Sequence, residues 1–309
     1  MNYPTKNSPN NLLAIKNRLS NEEDLFIFQK LLERDISENT KKALIADLQY
    51  FLKWFEKING EKFSFLRFTS LDITDYKHYC QEERKNSSRT INRRLASIKA
   101  LCKVAVKKGK MEQDPSEGIK QLSLQPLAPK KLERSEYRAL VKEAELRANR
   151  YTKFIRDVLI LELLCGAGLR VSELVSLNVE DVTISERKGF LEVINGKGGK
   201  SRKVPLSAKL RELIQKYMKR RRPTEHFILG ERGRLTPVAI NKVINFYAKK
   251  AGMKCHPHAL RHTFAYNYLE QHPGDIVGLK LILGHANLNT TAIYAQHTLD
   301  DLMRKVEGM

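Results

Sequence analysis

The sequence predicts a mostly helical protein with a small β-sheet in its C-terminal half, built as two domains. Apolar residues recur at helical spacing through most of the chain, and two short runs rich in β-forming residues lie close together around residue 200. A proline-punctuated segment separates two helical regions. A length of 309 residues with 41% hydrophobic residues is enough for two globular domains, each with its own core.

The charge of the chain is strongly one-sided. It has 56 Lys and Arg residues against 35 Asp and Glu, a formal net charge of +21. This excess implies a polyanionic partner, for which nucleic acid is the first candidate and an anionic membrane surface the second. The sequence lacks the roughly 18 consecutive apolar residues of a membrane span and the layout of a signal peptide. The four cysteines have no paired spacing, which predicts a reduced, cytoplasmic protein.

The first half of the chain is predicted to be a loose arm followed by a helical domain. Residues 1–20 are polar and aperiodic, and we expect the domain to cover residues 21–118. Capping residues and apolar spacing predict helices from Glu22 to Glu33, from Ser37 to Asn59, from Leu71 to Glu83, and from a cap at Ser88 to about Lys107.

The fourth predicted helix carries a row of cations beside its apolar side. Lys99, Lys103 and Lys107 follow one another at i,i+4 steps, after Arg89 and Arg93. Like charges at this spacing repel one another in an isolated helix, which favours a surface that faces DNA phosphates. A solvated basic face is the alternative.

A linker is predicted over residues 119–132, because helical periodicity is lost there and Pro126 and Pro129 interrupt the segment. Two domains joined by a strap with a basic end suit a clamp around a duplex. The second domain, residues 133–309, is predicted to contain helices over 134–146, 153–165, 208–221 and 237–251, one beginning at Pro257 or His258, and a hairpin of strands over 190–194 and 202–206.

Residues of the second domain have the chemistry needed to break a phosphodiester without a metal. Such a reaction needs a nucleophile, a proton donor for the leaving oxygen, and cations for the charge on the non-bridging oxygens. Arginine suits the last task because its planar guanidinium binds phosphate through two hydrogen bonds and keeps its charge. The candidates are Arg170, Glu173, Lys197, His258, Arg261, His285 and Tyr294.

Each candidate alone has a simpler explanation. The lysine, the glutamate and the arginine at 170 fit solvated surface positions, whereas His285 and Tyr294 fit buried structural side chains. The histidines at 256, 258 and 262 raise the question of a metal, but the segment lacks the glutamate of the His-Glu-x-x-His zinc motif.

Five motifs occur in order along the second domain: Gly168 to Leu174, Gly196 to Lys200, His258 to Ala265, Leu283 to His285, and Tyr294. Together they resemble those of the tyrosine recombinases, also called the phage integrase family, and are most similar to the Xer-like and transposon-resolvase members. The resemblance extends over residues 22–309. Ala167 and Tyr266 stand where threonine is frequent in that family, and both only flank catalytic positions.

The resemblance implies a C-shaped, two-domain DNA clamp with the tyrosine recombinase catalytic fold, acting without a cofactor. From their charge, the basic helix and the hairpin are expected to contact DNA through Arg89, Arg93, Lys99, Lys103, Lys107, Lys200 and Arg202. The implied roles are nucleophile for Tyr294, phosphate binding for Arg170, Arg261 and His285, general acid for Lys197, proton transfer from the tyrosine for His258, and acidic support for Glu173.

The implied partner is double-stranded DNA with a specific recombination site. On paired sites the family forms a tetramer, either of one chain or with a related recombinase. Leu299, Leu302, Met303 and Val306 form an apolar stripe that fits a helix donated to a neighbouring subunit and an intramolecular cap equally well. A catalytically silent DNA-binding protein of the same fold and a type IB topoisomerase-like relaxing enzyme are the alternatives, and dimer resolution, cointegrate resolution and integration all remain open as tasks.

Overall fold

The protein is mostly helical with small antiparallel sheets, as the sequence predicts. The computed structural model describes residues 10–124, 131–151, 154–194, 201–284, 291 and 294. The chain divides into two compact units, unit 1 over Met1–Pro126 and unit 2 over Leu127–Met309. This division falls inside the segment that we predict to be the linker.

Unit 1 is built from helices around an aromatic core. In its described part these are α1 (Asn10–Lys16), α2 (Glu22–Leu32), α3 (Glu38–Asn59), α4 (Ser70–Glu82) and α5 (Ser88–Lys107). Phe51 of α3 lies at the centre, with its ring centroid 5.2 Å from that of Tyr76 and 5.8 Å from that of Phe63, both edge-on. Such edge-to-face contacts add to the burial of apolar surface and fix how α3 packs on α4.

The start of the chain differs from the loose arm that the sequence predicts. Residues 1–9 lie outside the described residues, but α1 follows them directly. Ile15 has no exposed surface, and Leu19 forms a β-bridge with Phe63. The prediction is wrong for this part because a short helix owes its stability to tertiary burial of a few apolar side chains, which leaves little periodicity to read.

The predicted linker is also fastened at both ends. The side chain of Asn92 on α5 exchanges two hydrogen bonds of 2.8 Å with the backbone of Leu122. At the other end, Leu132 is buried, and its backbone N–H donates to Thr263 Oγ1 at 2.8 Å. Residues 119–124 therefore pack on unit 1, and residues 131 and 132 belong to unit 2.

Unit 2 is organised around α7, whose residues 157–165 are all buried. Helices α6, α9 and α11 pack against it. The helices of unit 2 in the described part are α6 (Arg134–Arg150), α7 (Ile155–Gly166), α8 (Val171–Ser176), α9 (Ala208–Met218), α10 (Pro237–Lys250), α11 (Pro257–Gln271) and α12 (Ile276–Leu283).

The sheet of unit 2 contains the predicted hairpin and one further strand. Strands β1 (Val182–Ile184), β2 (Gly189–Ile194) and β3 (Ser201–Pro205) form an antiparallel sheet in that order. Val193 pairs with Arg202, and Leu191 with Val204. A second sheet pairs β4 (Leu229–Gly230) with β5 (Gly233–Arg234). The hairpin places Arg202 one residue into β3, beside the C-terminal end of α12.

Candidate active site

The site begins at the turn between α7 and α8. Gly168 has φ 64°, and a Cβ there would lie 2.5 Å from the Phe264 ring, so a side chain is excluded by both conformation and space. Arg170 is the N-cap residue of α8, and Glu173 is the third residue of the helix. Glu173 accepts hydrogen bonds from the Arg170 backbone N–H at 2.8 Å and from Arg170 Nη1 at 2.7 Å.

Glu173 joins arginines from three segments of the chain. Arg202 on β3 donates from Nη1 and Nη2 to its two oxygens at 2.9 and 2.8 Å, a bidentate pair. Arg261 on α11 lies 3.7 Å from Glu173 Oε2. Burial acts to raise the pKa of Glu173, but the hydrogen bonds and charges of Arg202 and Arg170 outweigh it and lower this pKa below its usual value. The carboxylate is therefore ionised at neutral pH.

Arg202, which we predict to contact DNA, has little exposed side-chain surface. Its side chain is 9% exposed, and its guanidinium is bound by Glu173. Its Nε also donates to Ile282 O at 2.7 Å. This burial requires an acidic partner, because an unpaired guanidinium in such a place is strongly unfavourable. In this geometry the Arg202 guanidinium holds Glu173 and the end of α12, and its contact with DNA remains a prediction.

Arg261 is buried, with 4% of the residue exposed. Its Nη1 donates to Gly168 O at 2.5 Å and its Nη2 to Leu283 O at 2.8 Å. Burial and the nearby charge of Arg170 lower the pKa of Arg261 to about 10, so the guanidinium remains charged at neutral pH. Helix α11 thus places a second cation close to Glu173, in addition to Arg170.

Arg170, Arg202 and Arg261 all donate hydrogen bonds to carbonyls at the C-terminal end of α12. Leu283 O accepts from Arg261 and, at 3.4 Å, from Arg170 Nη1, while the preceding carbonyl accepts from Arg202. Gly284 ends the helix in the left-handed conformation, with φ 65°, and a Cβ there would lie 2.8 Å from Arg202 Nη1. Cations at a helix C-terminus satisfy free carbonyls and oppose the negative end of the helix dipole.

Tyr294 lies in the same unit, with 7% of the residue exposed. It belongs to an apolar cluster with Ala265, Leu279 and Leu283. Its hydroxyl is 2.5 Å from His262 Nδ1, and the Tyr266 ring meets its own ring edge-on at a centroid distance of 5.4 Å. Burial raises the pKa of Tyr294, although the charges of Arg261 and Arg170 act to lower it.

The histidines of the α11 segment have different positions. His256 is the N-cap of α11, and its Nδ1 accepts from the backbone N–H of Ala259 at 3.1 Å. His258 is exposed. The protein around it still removes part of its hydration, and this effect, together with the charges of His256, Arg261 and Arg170, lowers the pKa of His258. His262 is half-buried, and burial followed by the charges of its histidine neighbours lowers its pKa to about 4.

The structure brings together four of the predicted site residues and leaves others unplaced. Arg170, Glu173, Arg261 and Tyr294 share one cluster around Leu283. His258 begins the same helix as Arg261. Lys197, Lys200 and His285, together with the stripe from Leu299 to Val306, lie outside the described residues.

The cations of α5 fall into two groups. Arg89, Lys103 and Lys107 are exposed, as a nucleic-acid surface requires. Arg93 is half exposed and donates to the buried Asp47 at 2.7 Å, and Lys99 Nζ donates to Ile119 O at 2.7 Å. Their contact with DNA remains a prediction.

The sequence does not predict the contacts that two residues of this cluster make with Tyr294. From the sequence, His262 is a candidate only for a metal, and Tyr266 is only a departure from the family pattern. Each is close to Tyr294 only through the fold, across a separation of about 30 residues. Among the described residues, no group of three or more His, Cys, Asp or Glu is placed to hold a metal ion, and none of the helices has the length and apolarity of a membrane span.

Comparisons with known proteins show the family of the chain. The sequence model of the phage integrase family matches residues 130–300, and that of a phage integrase SAM-like domain matches residues 25–121. A tyrosine recombinase of Pseudothermotoga lettingae is 32% identical over 271 residues, which cover 86% of this chain and 90% of the relative. The chain belongs to the phage integrase family of tyrosine recombinases.

Other tyrosine recombinases cover the chain to different extents. XerD of Listeria monocytogenes serotype 4b is 31% identical over 284 residues, 88% of this chain and 93% of the relative. XerA of Pyrococcus horikoshii is 39% identical over 197 residues, and this match spans 62% of the chain and 65% of the length of XerA.

Solved structures show that this tyrosine recombinase shares the family fold. XerH bound to a palindromic difH substrate, in a post-cleavage complex, superposes with a TM-score of 0.73 at 20% identity, over 100% of this chain and 98% of that one. A lambda integrase dimer bound to a COC′ core site superposes with a TM-score of 0.72 at 18% identity, over 89% and 95% of the two chains.

Proposed function

We propose that this tyrosine recombinase is a site-specific enzyme that cuts and rejoins DNA through a covalent 3′-phosphotyrosyl intermediate. Tyr294 Oη bonds to the scissile phosphorus while the bond from phosphorus to the 5′-oxygen breaks. The phosphotyrosyl ester retains the energy of the phosphodiester. Attack by a 5′-hydroxyl then releases the tyrosine and reseals the strand, so that no ATP is needed.

The observation that carries this proposal is the convergence of Arg170 and Arg261 on Leu283 O, in the cluster that also holds Tyr294. Two fixed guanidinium groups beside a nucleophile are suited to the charge that develops on the non-bridging phosphate oxygens. Arg170 remains 34% exposed, which leaves part of its guanidinium open to a ligand. Glu173 and Arg202 support this arrangement through the two hydrogen bonds that join them.

The remaining roles follow the family resemblance. Lys197 donates a proton to the 5′-oxygen and His285 binds the phosphate, and the resemblance gives proton transfer from the tyrosine to His258. The partner is double-stranded DNA with a recombination site, which is supported by similarity to XerH on difH and to lambda integrase on a core site. We propose a tetramer on paired sites, composed of this chain alone or together with a related recombinase, acting in the cytoplasm.

The experiment is to trap covalent protein–DNA adducts in cells that express the full chain and to sequence the attached DNA. We expect adducts at one family of sequences in the unmutated protein and none with Tyr294→Phe. Tyr268→Phe is the matched control, because the Tyr268 hydroxyl contacts Asp275 instead of the site. Absence of any adduct dependent on Tyr294 would contradict the proposal and favour a silent DNA-binding protein.

A nicked substrate made from the recovered sequence then tests site specificity. A nick next to the cleavage position lets the short 5′ fragment diffuse away, so the covalent complex accumulates. We expect strand exchange only between two paired sites. Relaxation of any supercoiled plasmid, without a site requirement, would instead support the topoisomerase-like alternative.

A further inference from the structure

The contact of interest joins His262 and Tyr294. His262 follows Arg261 directly on α11, and its Nδ1 lies 2.5 Å from Tyr294 Oη, with the two ring centroids 5.5 Å apart. The Tyr266 ring also contacts the Tyr294 ring edge-on, and the ammonium group of Lys131 lies 5.6 Å from the Tyr266 centroid. The hydroxyl that must lose a proton during cleavage therefore already has an acceptor within hydrogen-bond distance.

Protonation states give this contact a direction. The surroundings of the imidazole are cationic or neutral: His258 and His256 lie on the same segment, Arg261 lies beside it, and the phenol of Tyr294, which contacts Tyr266, faces it. Burial and these charges lower the pKa of His262 to about 4, so the ring is neutral at pH 7. The pKa of Tyr294 is raised by burial, so its hydroxyl is protonated there. In the neutral tautomer that carries its proton on Nε2, the unprotonated Nδ1 accepts from this hydroxyl.

We propose that His262 is the general base that removes the Tyr294 proton during strand cleavage, a role that rests on the proposed function of Tyr294. The Oη–H bond breaks as Oη bonds to phosphorus, and the proton moves to Nδ1 and leaves His262 as an imidazolium. The leaving 5′-oxygen takes its own proton from Lys197. In rejoining, the 5′-hydroxyl attacks phosphorus, the tyrosine leaves, and the imidazolium returns its proton to Oη.

The proposal assigns to His262 a step that the family resemblance gives to His258, one turn earlier on α11. Geometry favours His262, because the nucleophile is within hydrogen-bond distance of its ring. The two histidines are therefore distinguishable by experiment.

The test is the single-turnover rate of adduct formation on the nicked substrate, measured from about pH 6 to pH 9. His262→Asn keeps an acceptor oxygen close to the position of Nδ1 but holds no proton at neutral pH. His272→Asn is the matched control, an exposed histidine just beyond the same helix. We expect a loss of about 10²-fold for His262→Asn at pH 7, the usual size of a general-base contribution, and an unchanged rate for the control.

The pH profile separates a base from a residue that only holds the tyrosine. Without a base, the tyrosine must lose its proton to solvent, so the rate of His262→Asn is expected to rise about tenfold per pH unit, while the unmutated enzyme shows a flatter profile. A wild-type rate for His262→Asn, or a loss that is the same at every pH, would overturn the role as base. Restoration of adduct formation in His262→Ala by added imidazole would support it in a variant that is shown to be folded.

A substrate with sulfur in place of the bridging 5′-oxygen tests the other end of the reaction. A thiolate leaves without a proton, so this substrate removes the need for a general acid but not for a base. We expect the defect of His262→Asn to persist, and its full recovery would overturn the assignment. If the unmutated protein forms no adduct, or Tyr294→Phe still forms one, the proposed function is contradicted, and the role of His262 as general base is contradicted with it. If the unmutated protein forms adducts normally and His262→Asn forms them at the same rate, only the role of His262 as general base is contradicted.

Discussion

The exposed cations of α5 and the arginines around Glu173 are all positively charged side chains, but the first group lies in solvent and the second is largely enclosed by protein. Lys103 and Lys107 extend into solvent, whereas Arg202 and Arg261 are buried and held by Glu173 and by carbonyls of α12. Attraction between exposed charges is screened by salt and tolerates many geometries. Buried guanidinium groups have a fixed direction. The comparison predicts that the first group sets DNA affinity and the second sets reaction rate.

The largest expected effect is on Arg170, which belongs to the second group but retains an exposed part. Arg170→Ala is expected to lower the rate of adduct formation by about 10³-fold, because an arginine that stabilises a reacting phosphoryl group contributes at least that much. The measurement is the single-turnover rate at saturating nicked DNA. An equal rate for Arg170→Ala and the unmutated protein would remove Arg170 from the reacting centre and erase the distinction between the two groups.

The next effect is on stability, through the carboxylate that holds the buried group. Glu173→Gln leaves Arg202 and Arg261 without their counter-charge, which is expected to lower the free energy of unfolding of unit 2 by about 3 kcal/mol at pH 7. The measurement is urea unfolding of the full chain followed by circular dichroism. Trp54, the one tryptophan of the sequence, lies in unit 1, so its fluorescence serves as an internal control.

The same variant has a defined pH dependence. Because the folded-state pKa of Glu173 is lowered, its stabilisation is present above its unfolded value of about 4.3 and is lost as the pH falls from there through the folded value. The difference between Glu173→Gln and the unmutated protein should therefore be smaller at about pH 3 than at pH 7. A difference that does not change with pH would show that the charge of Glu173 is not what stabilises the cluster.

The smallest effect belongs to the exposed group. The double variant Lys103→Ala, Lys107→Ala should reduce the slope of log affinity against log salt by about 2, roughly one per lost phosphate contact. The cleavage rate at saturating DNA should not change. Arg93→Ala sharpens the comparison, because Arg93 is paired with buried Asp47 and should affect stability more than the salt slope. A loss of cleavage rate in the lysine double variant would contradict the division of labour.

The sequence predicts the elements that have strong periodicity and strong caps. α3 and α5 follow their apolar spacing, and α10 begins at Pro237 after its Thr236 cap, as expected. The elements that were missed are short or lack contrast. β1 has three residues, and α12 reads Ile-Val-Gly-Leu-Lys-Leu-Ile-Leu, an apolar run in which no face stands out.

The sequence predicts which residues belong to the site, and it does not predict their contacts. Glu173 was expected to orient a neighbouring basic group, and it binds Arg170 as well as Arg202. Arg202 follows a glycine-rich basic run, so its sequence suggests a surface position, and only the strand register of β3 beside α12 buries it. The contact of His262 with Tyr294 bridges 32 residues and has no local pattern.

Distance along the chain also governs when such a cluster can exist. Glu173 meets Arg202 across 29 residues, Arg261 meets Gly168 across 93, and Arg170 meets Leu283 across 113. Closing long loops has an entropic cost that is recovered only when the last contacts form. A nascent chain that does not yet contain α12 lacks the Ile282 and Leu283 carbonyls that bind these arginines. The proposed cleavage centre is therefore expected to form late in folding, and an incomplete polypeptide is expected to carry its residues without the contacts that join them.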